Sequence, residues 1–280
     1  MDPLLPPELE RKIFETAAIH DRSSIPNILR VCHRAHTWIE PFLYRVLIVS
    51  DYRSPALVAL KKKPTEFKKI AVRHVFIEAY GDRTDASDLL AGLTEIESLA
   101  IDTPDRKSLL RVVDTLHIQR LNLRAPRSDT AQWAHATLSR PLISSVTHLE
   151  LYYDTGEDSP IQSWAAWSGI TTLPALTHLC VSDDLASLFL RPVLESRSPA
   201  SKLQVFIVGY WDSWMKTHAT QFALNPPIGD PRLVVMMLSS LKEDWVAGVT
   251  GGEDFWARAD AFLAAKKRGD IGGSVYFLEE

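Results

Sequence analysis

From Val46 onward, short runs of the form hydrophobic-x-x-Leu-x-Leu alternate with longer stretches whose apolar residues recur at helical spacing. The clearest runs are Val146-Thr147-His148-Leu149-Glu150-Leu151 and Leu176-Thr177-His178-Leu179-Cys180-Val181. Fainter copies centre on Val75, Leu99 and Leu121; two more follow around Phe206 and Met236, and Val46-Leu47-Ile48-Val49 starts the series. Anchors at 75, 99, 121, 149, 179, 206 and 236 are separated by about 22 to 30 residues. The period of two predicts strands whose leucine-type residues enter a shared core while the residues between them face the other way. Helical stretches at Leu57 to Ile70, Leu109 to Leu116, Trp133 to Leu142 and Leu185 to Leu194 are expected to cover the opposite side. One strand and one helix cannot bury their apolar faces alone, so the units must stack.

The ends of the chain follow other patterns. Before Val46, the apolar positions Leu9, Ile13 and Ala17, with Phe14 beside them, predict a helix opened by Pro6-Pro7 and Glu8. Asp21-Arg22-Ser23-Ser24 breaks it, and a second helix is expected from about Ile25 to Glu40, ahead of Pro41. At the other end, Phe255 to Leu263 reads as a last amphipathic helix and Ser274 to Leu278 as an edge strand, together a terminal cap. Asp154 to Pro160 and Asn225 to Pro231 are polar and proline-bearing and are expected to be exposed loops.

Composition removes several function classes. The formal net charge is -4 and the pI about 6.1, so no global basic field attracts nucleic acid or an anionic membrane. The clusters Lys61-Lys62-Lys63 and Lys266-Lys267-Arg268 read as solvated helix ends. Cys32 and Cys180 are too few for a disulfide framework or a zinc site, and no window is long and apolar enough for a membrane helix. The start of the chain lacks the pattern of a secretory leader, which places the protein in the cytoplasm or nucleus. No phosphate loop, serine elbow or zincin helix occurs, so neither an enzyme nor a cofactor or metal is expected. His148 and His178 hold equal places in successive runs, roughly 5 Å apart if their strands pair, but no third ligand accompanies them. Trp211 and Trp214 directly follow a strand and are candidates for a binding rim.

Two resemblances follow from these residues. The strand-and-helix series looks like an irregular leucine-rich-repeat solenoid with a curved parallel sheet, lacking the Asn or Cys that usually follows the strand. Leu5-Pro6-Pro7-Glu8-Leu9, then Ile13-Phe14, then Ile28-Leu29-Arg30-Val31-Cys32-His33-Arg34 resembles an F-box, and Trp38 to Arg45 is similar to the variants of mushroom-type fungi. The expected fold is therefore α/β: an F-box-like helical domain over residues 1–45 and a repeat array with a C-terminal cap over 46–280. The resemblance implies docking to a Skp-type adaptor, itself joined to a cullin scaffold, through Leu5, Pro6, Leu9, Ile13, Ile28, Leu29 and Cys32. On this reading the chain is the substrate-recognition subunit of a ubiquitin ligase; the alternative is a repeat scaffold with no ligase link. Alternation along the strands assigns a protein target to the outward residues His74, Phe76, Arg120, Asn122, His148, Glu150, Tyr152, His178 and Cys180.

Overall fold

The computed structural model describes residues 5–50, 55–78, 83–103, 106–114, 116–125, 130–153, 164–198 and 201–279. Among these residues it is an α/β structure built on one nine-stranded sheet. The N-terminal module contains α1 (Pro7–His20), α2 (Ile25–Ile28) and α3 (His33–Ile39), and a 3₁₀ turn at Glu40–Tyr44 leads into β1 (Val46–Val49). Then come α4 (Pro55–Lys61), α5 (Thr65–Ala71), β2 (His74–Ile77), α6 (Arg83–Ala91), β3 (Ser98–Ile101), α7 (Arg106–Val112), β4 (Arg120–Ala125), α8 (Thr130–Leu138) and β5 (His148–Tyr153). The chain continues through β6 (His178–Ser182), α9 (Asp183–Leu194), β7 (Val205–Tyr210), α10 (Lys216–Leu224), β8 (Leu233–Met237), α11 (Leu241–Val249), α12 (Phe255–Arg268) and β9 (Phe277–Leu278).

All nine strands are parallel and lie side by side in chain order. Pairing aligns Leu47, Val75, Leu99, Leu121, Leu149, Leu179, Phe206 and Leu233 in one row across the sheet. A second row runs Val49, Ile77, Ile101, Leu123, Leu151, Val181, Val208 and Val235. Every residue of both rows belongs to the principal hydrophobic core, together with Leu57, Leu60, Leu90, Leu110, Trp133 and Phe189 from the intervening helices. The expected anchor at 236 is corrected: Leu233 holds that rank, and Met236 points to the other face.

The helices also differ from expectation at identifiable residues. Pro64 divides the Leu57 to Ile70 stretch into α4 and α5, because proline cannot donate the backbone bond that a continuous helix requires. Pro141 stops the helix from Trp133 in the same way and opens a 3₁₀ turn at Pro141–Ser145. The single helix expected from Ile25 to Glu40 is two helices, with Cys32 extended at φ -162 and ψ 166 between them. Asn225 to Pro231 is irregular, whereas Asp154 to Pro160 lies outside the described residues. The Lys266 to Arg268 cluster occupies the last turn of α12, where cations favour the negative dipole end, and Gly269 at φ 83 ends that helix.

The N-terminal module has its own small core of Ala18, Ile25, Ile28, Ala35 and Ile39, with Phe14, Trp38 and Phe42 packed on it. Arg34 pairs with Glu10 at 2.8 Å and ties α3 to α1. Contact with the array comes from Tyr44, edge-on to Phe67 of α5 at 5.6 Å, and from Lys63 against Glu40 at 2.5 Å.

Candidate functional site

Of the seven residues carried over from the F-box pattern, the structure divides two groups. Leu5, Pro6, Leu9 and Ile13 are exposed along the start of the chain and the outer side of α1; Leu9 is 51% and Ile13 55% exposed. Phe14 and Ala18, one and five positions beyond Ile13, turn inward. A shallow surface depression next to this row is lined by Lys12, Ile13, Thr16, Ala17 and His20. Ile28 is buried in the module's own core, with Leu29 and Cys32 packed against that core and half-buried. As the module stands, Ile28 is not part of its free face; the extended backbone at Cys32 and the tight turn before it draw the end of α2 inward.

The face expected to read a target is covered by the chain itself. His74, Phe76, Asn122, Glu150, His178 and Cys180 are all buried, and Arg120, His148 and Tyr152 are half-buried. The cover is α11 and α12, which fold back over the sheet opposite α4 to α10. Trp245 of α11 meets Phe76 edge-on at 5.4 Å, while Phe255, Trp256, Phe262 and Leu263 of α12 pack on Cys180, Ile207, Val234 and Met236. This overturns the expectation of an open recognition surface. A signal was present in the strands: the supposedly outward positions Phe76, Ala100, Cys180, Ile207 and Val234 are apolar, and a solvated face does not carry such a row.

Polar contacts stitch the cover down. Asp254 accepts the Ala257 amide at 2.8 Å as the cap of α12 and receives Arg120 at 2.7 Å. Lys242 reaches Glu78 at 2.7 Å, and Arg258 holds Asp244 with two bonds of 3.0 Å. Gly248 sits inside α11 because an added Cβ there would run into the Asp254 carboxylate. His148 and His178 stack at 4.1 Å, each edge-on to Trp256, and His178 Nε2 lies 3.1 Å from Asp260. Thr147 and Thr177 each meet the Nδ1 of the histidine that follows. Burial lowers the His148 pKa to about 3, with the charges of His178 and Arg120 adding to the effect. Glu150 accepts a bond from Asn122 and is fully buried, so desolvation, aided by the negative charge of Asp244, raises its pKa well above the ordinary value.

Among the described residues, no group of three or more His, Cys, Asp or Glu side chains converges as a metal site, and no helix is long and apolar enough to cross a membrane. The carboxyl ends of β7, β8 and β9 frame a cavity of about 480 Å³ lined by Trp211, Lys216, Met237 and Leu238. Trp214, 69% exposed, stands on the same loop as Trp211. No family model, curated protein or solved structure matches this chain.

Proposed function

We propose that this protein is the substrate-recognition subunit of a Skp–cullin–F-box ubiquitin ligase: an F-box-like module followed by an irregular leucine-rich-repeat solenoid closed by a C-terminal cap. The supporting observation is the apolar row Leu5, Leu9 and Ile13, left in solvent on a helical module whose core is already filled. Apolar surface of that kind marks a place where a partner is taken up. Burying each such side chain contributes about 1.5–3 kcal/mol, so the row supplies the centre of an interface. The sequential parallel strands support the repeat reading, since every unit contacts its chain neighbours. In this reading the chain performs no chemistry; it holds a target near a ubiquitin donor in the cytoplasm or nucleus. The client surface moves from the covered sheet face to the rim at Trp211 and Trp214, where aromatic side chains border an open cavity.

Mixing the purified full chain with a Skp-type adaptor tests the reading. Association at micromolar concentration is expected, and Leu9→Asp with Ile13→Asp should abolish it without changing the circular dichroism spectrum, since both side chains are exposed. If the wild-type proteins do not associate, the ligase reading fails and a repeat scaffold without a ligase link takes its place. Proximity labelling with the intact chain and the double variant would identify the client.

A further inference from the structure

Where the N-terminal module meets the sheet there is a cavity of about 390 Å³. Its cations come from separate parts of the chain: Arg22 from the turn after α1, Arg45 from the step into β1, and Arg120 from the start of β4. His74 and Ser98, which begin β2 and β3 and pair in register with Arg120, complete that wall, and the end of α11 lies across from them. Strand pairing therefore brings the first residues of three successive strands to one end of the sheet, directly beneath the module.

Charge balance in the cavity is one-sided. Arg120 is paired with Asp254, and Glu97, the one carboxylate in the wall among the described residues, lies 3.7 Å from Arg73. Arg22 and Arg45 have no ion pair or side-chain hydrogen bond among the described residues; the Arg45 guanidinium lies 5.9 Å from the Phe42 ring centre. Burial depresses the Arg22 pKa, and the charge of Arg45 depresses it further, so the two cations repel each other across the cavity. The His74 imidazole is lowered to about 4, first by burial and then by Arg45, Arg120, Arg73 and Arg22. Two polar atoms in this wall also lack partners: the Nδ1 of His74, which is 7% exposed, and the Oγ of Ser98, which is 2% exposed. Arg22 is exposed and Arg45 half-buried, so two unpaired guanidinium groups stand beside the unsatisfied polar atoms where an anion from solvent can reach them. Guanidinium groups are planar forks that match tetrahedral oxyanions.

We infer that this cavity binds a small phosphate-class oxyanion, held chiefly by Arg22 and Arg45 at the seam between the helical module and the sheet. Nothing in this inference depends on the ligase reading. Bound there, the anion would neutralise the repulsion and join two parts of the chain whose cores are otherwise separate.

Thermal melting and calorimetric titration of the full chain, at constant ionic strength with chloride as the reference anion, test the inference. Inorganic phosphate and glycerol 3-phosphate are the probes. Both are expected to raise the melting temperature, because a ligand that binds only the folded state stabilises it by mass action. Tighter binding of the glycerol ester by about tenfold assigns an organic phosphate, and equal binding assigns free phosphate. Arg22→Gln and Arg45→Gln should each weaken binding by about tenfold or more, while Arg30→Gln, which removes the same charge elsewhere in the module, leaves it unchanged. Each of the first two should also raise the melting temperature of the anion-free protein by relieving repulsion, an effect a purely structural arginine would not give. No response to either probe beyond chloride overturns the proposal, as does undiminished binding in Arg22→Gln. Should Arg45→Gln fail to fold, Arg22→Gln in its exposed turn decides the matter alone.

Discussion

On the leucine side of the sheet, β1 to β8 are covered by helices that neighbour them in the chain, so Leu149 or Leu123 meets partners from the adjoining units. On the other side, the cover comes from α11 and α12, and its contacts span far greater separations. His178 to Asp260 crosses 82 positions, Arg120 to Asp254 crosses 134, and Lys242 to Glu78 crosses 164. The first face is apolar in both rows; the second mixes Phe76, Cys180 and Ile207 with Asn122, Glu150 and a histidine pair. Local burial can accumulate unit by unit, whereas distant burial is gained only when the C-terminal helices close over the sheet. One sheet thus carries a face stabilised by repetition and a face stabilised by closure, and the closure occupies the surface that an open array would offer to a partner.

The largest test strikes the repeated face. Leu149→Ala removes a buried side chain from the middle of the first row and should cost about 2–5 kcal/mol in urea unfolding. Because that row runs through the whole sheet, protection from hydrogen exchange should fall in strands on both sides of β5. If the loss stays within β5, the row is not one cooperative core.

A smaller effect is expected from the closing face. Asp254→Ala removes the α12 cap and the partner of Arg120, at a cost of about 1–2 kcal/mol. Exchange should accelerate in α11 and α12 before it does in β3 to β5. Asp254→Asn, which keeps a capping oxygen, should restore most of the loss; uniform acceleration across the sheet would erase the distinction between the faces.

The buried polar row predicts a pH dependence of two signs. Glu150 has a raised pKa in the folded state, so its contribution is complete below about 4.5 and is lost as pH climbs toward the raised value. His148 behaves oppositely: with a folded pKa of about 3, its contribution is present above 6.5 and is lost as pH falls toward 3. Glu150→Gln should therefore flatten the alkaline fall in stability, which for one group has a slope of at most about 1.4 kcal/mol per pH unit. His148→Gln should flatten the acid fall. Unchanged profiles in both variants would mean that neither group titrates inside the closed face.

The smallest effect lies on the solvated surface. Glu195→Gln breaks an exposed pair with Arg191 on one helical turn and should change stability by no more than about 0.5 kcal/mol. A larger change would point to the Arg191 contact with the Pro227 carbonyl as coupled to the same pair.

The expected strands at Val75, Leu99, Leu121, Leu149, Leu179 and Phe206 match the observed register: in Leu121-Asn122-Leu123 and Leu149-Glu150-Leu151 a polar residue between two leucines carries the phase, and the regular spacing of the runs carries it to the apolar copies. In Leu233-Val234-Val235-Met236-Met237-Leu238 every position is apolar, so no phase can be read, and the anchor falls three residues from its true place. The helix α9 is legible from Leu185 to Leu194 because its polar and apolar sides are well separated. Three others, α6, α10 and α11, carry no such separation. Polar residues dominate the start of α6, threonines and His218 interrupt α10, and Gly248 within α11 looks like a loop residue until Asp254 is packed beside it. In the module, the inward and outward sides of α1 differ by one position, Ile13 against Phe14, too little for spacing alone to separate.

The sequence by itself determined the repeating strands, the apolar rows that must share a core, the separate character of the first forty-five residues and the presence of a terminal amphipathic helix. These depend on contacts between residues close in the chain, and such contacts leave a period. Only the tertiary structure decided which face that terminal helix covers, which module residues remain free, and that Arg22, Arg45 and Arg120 meet at one cavity. Those outcomes depend on groups far apart in sequence, whose encounter is set by the packing of the whole sheet and leaves no period to read.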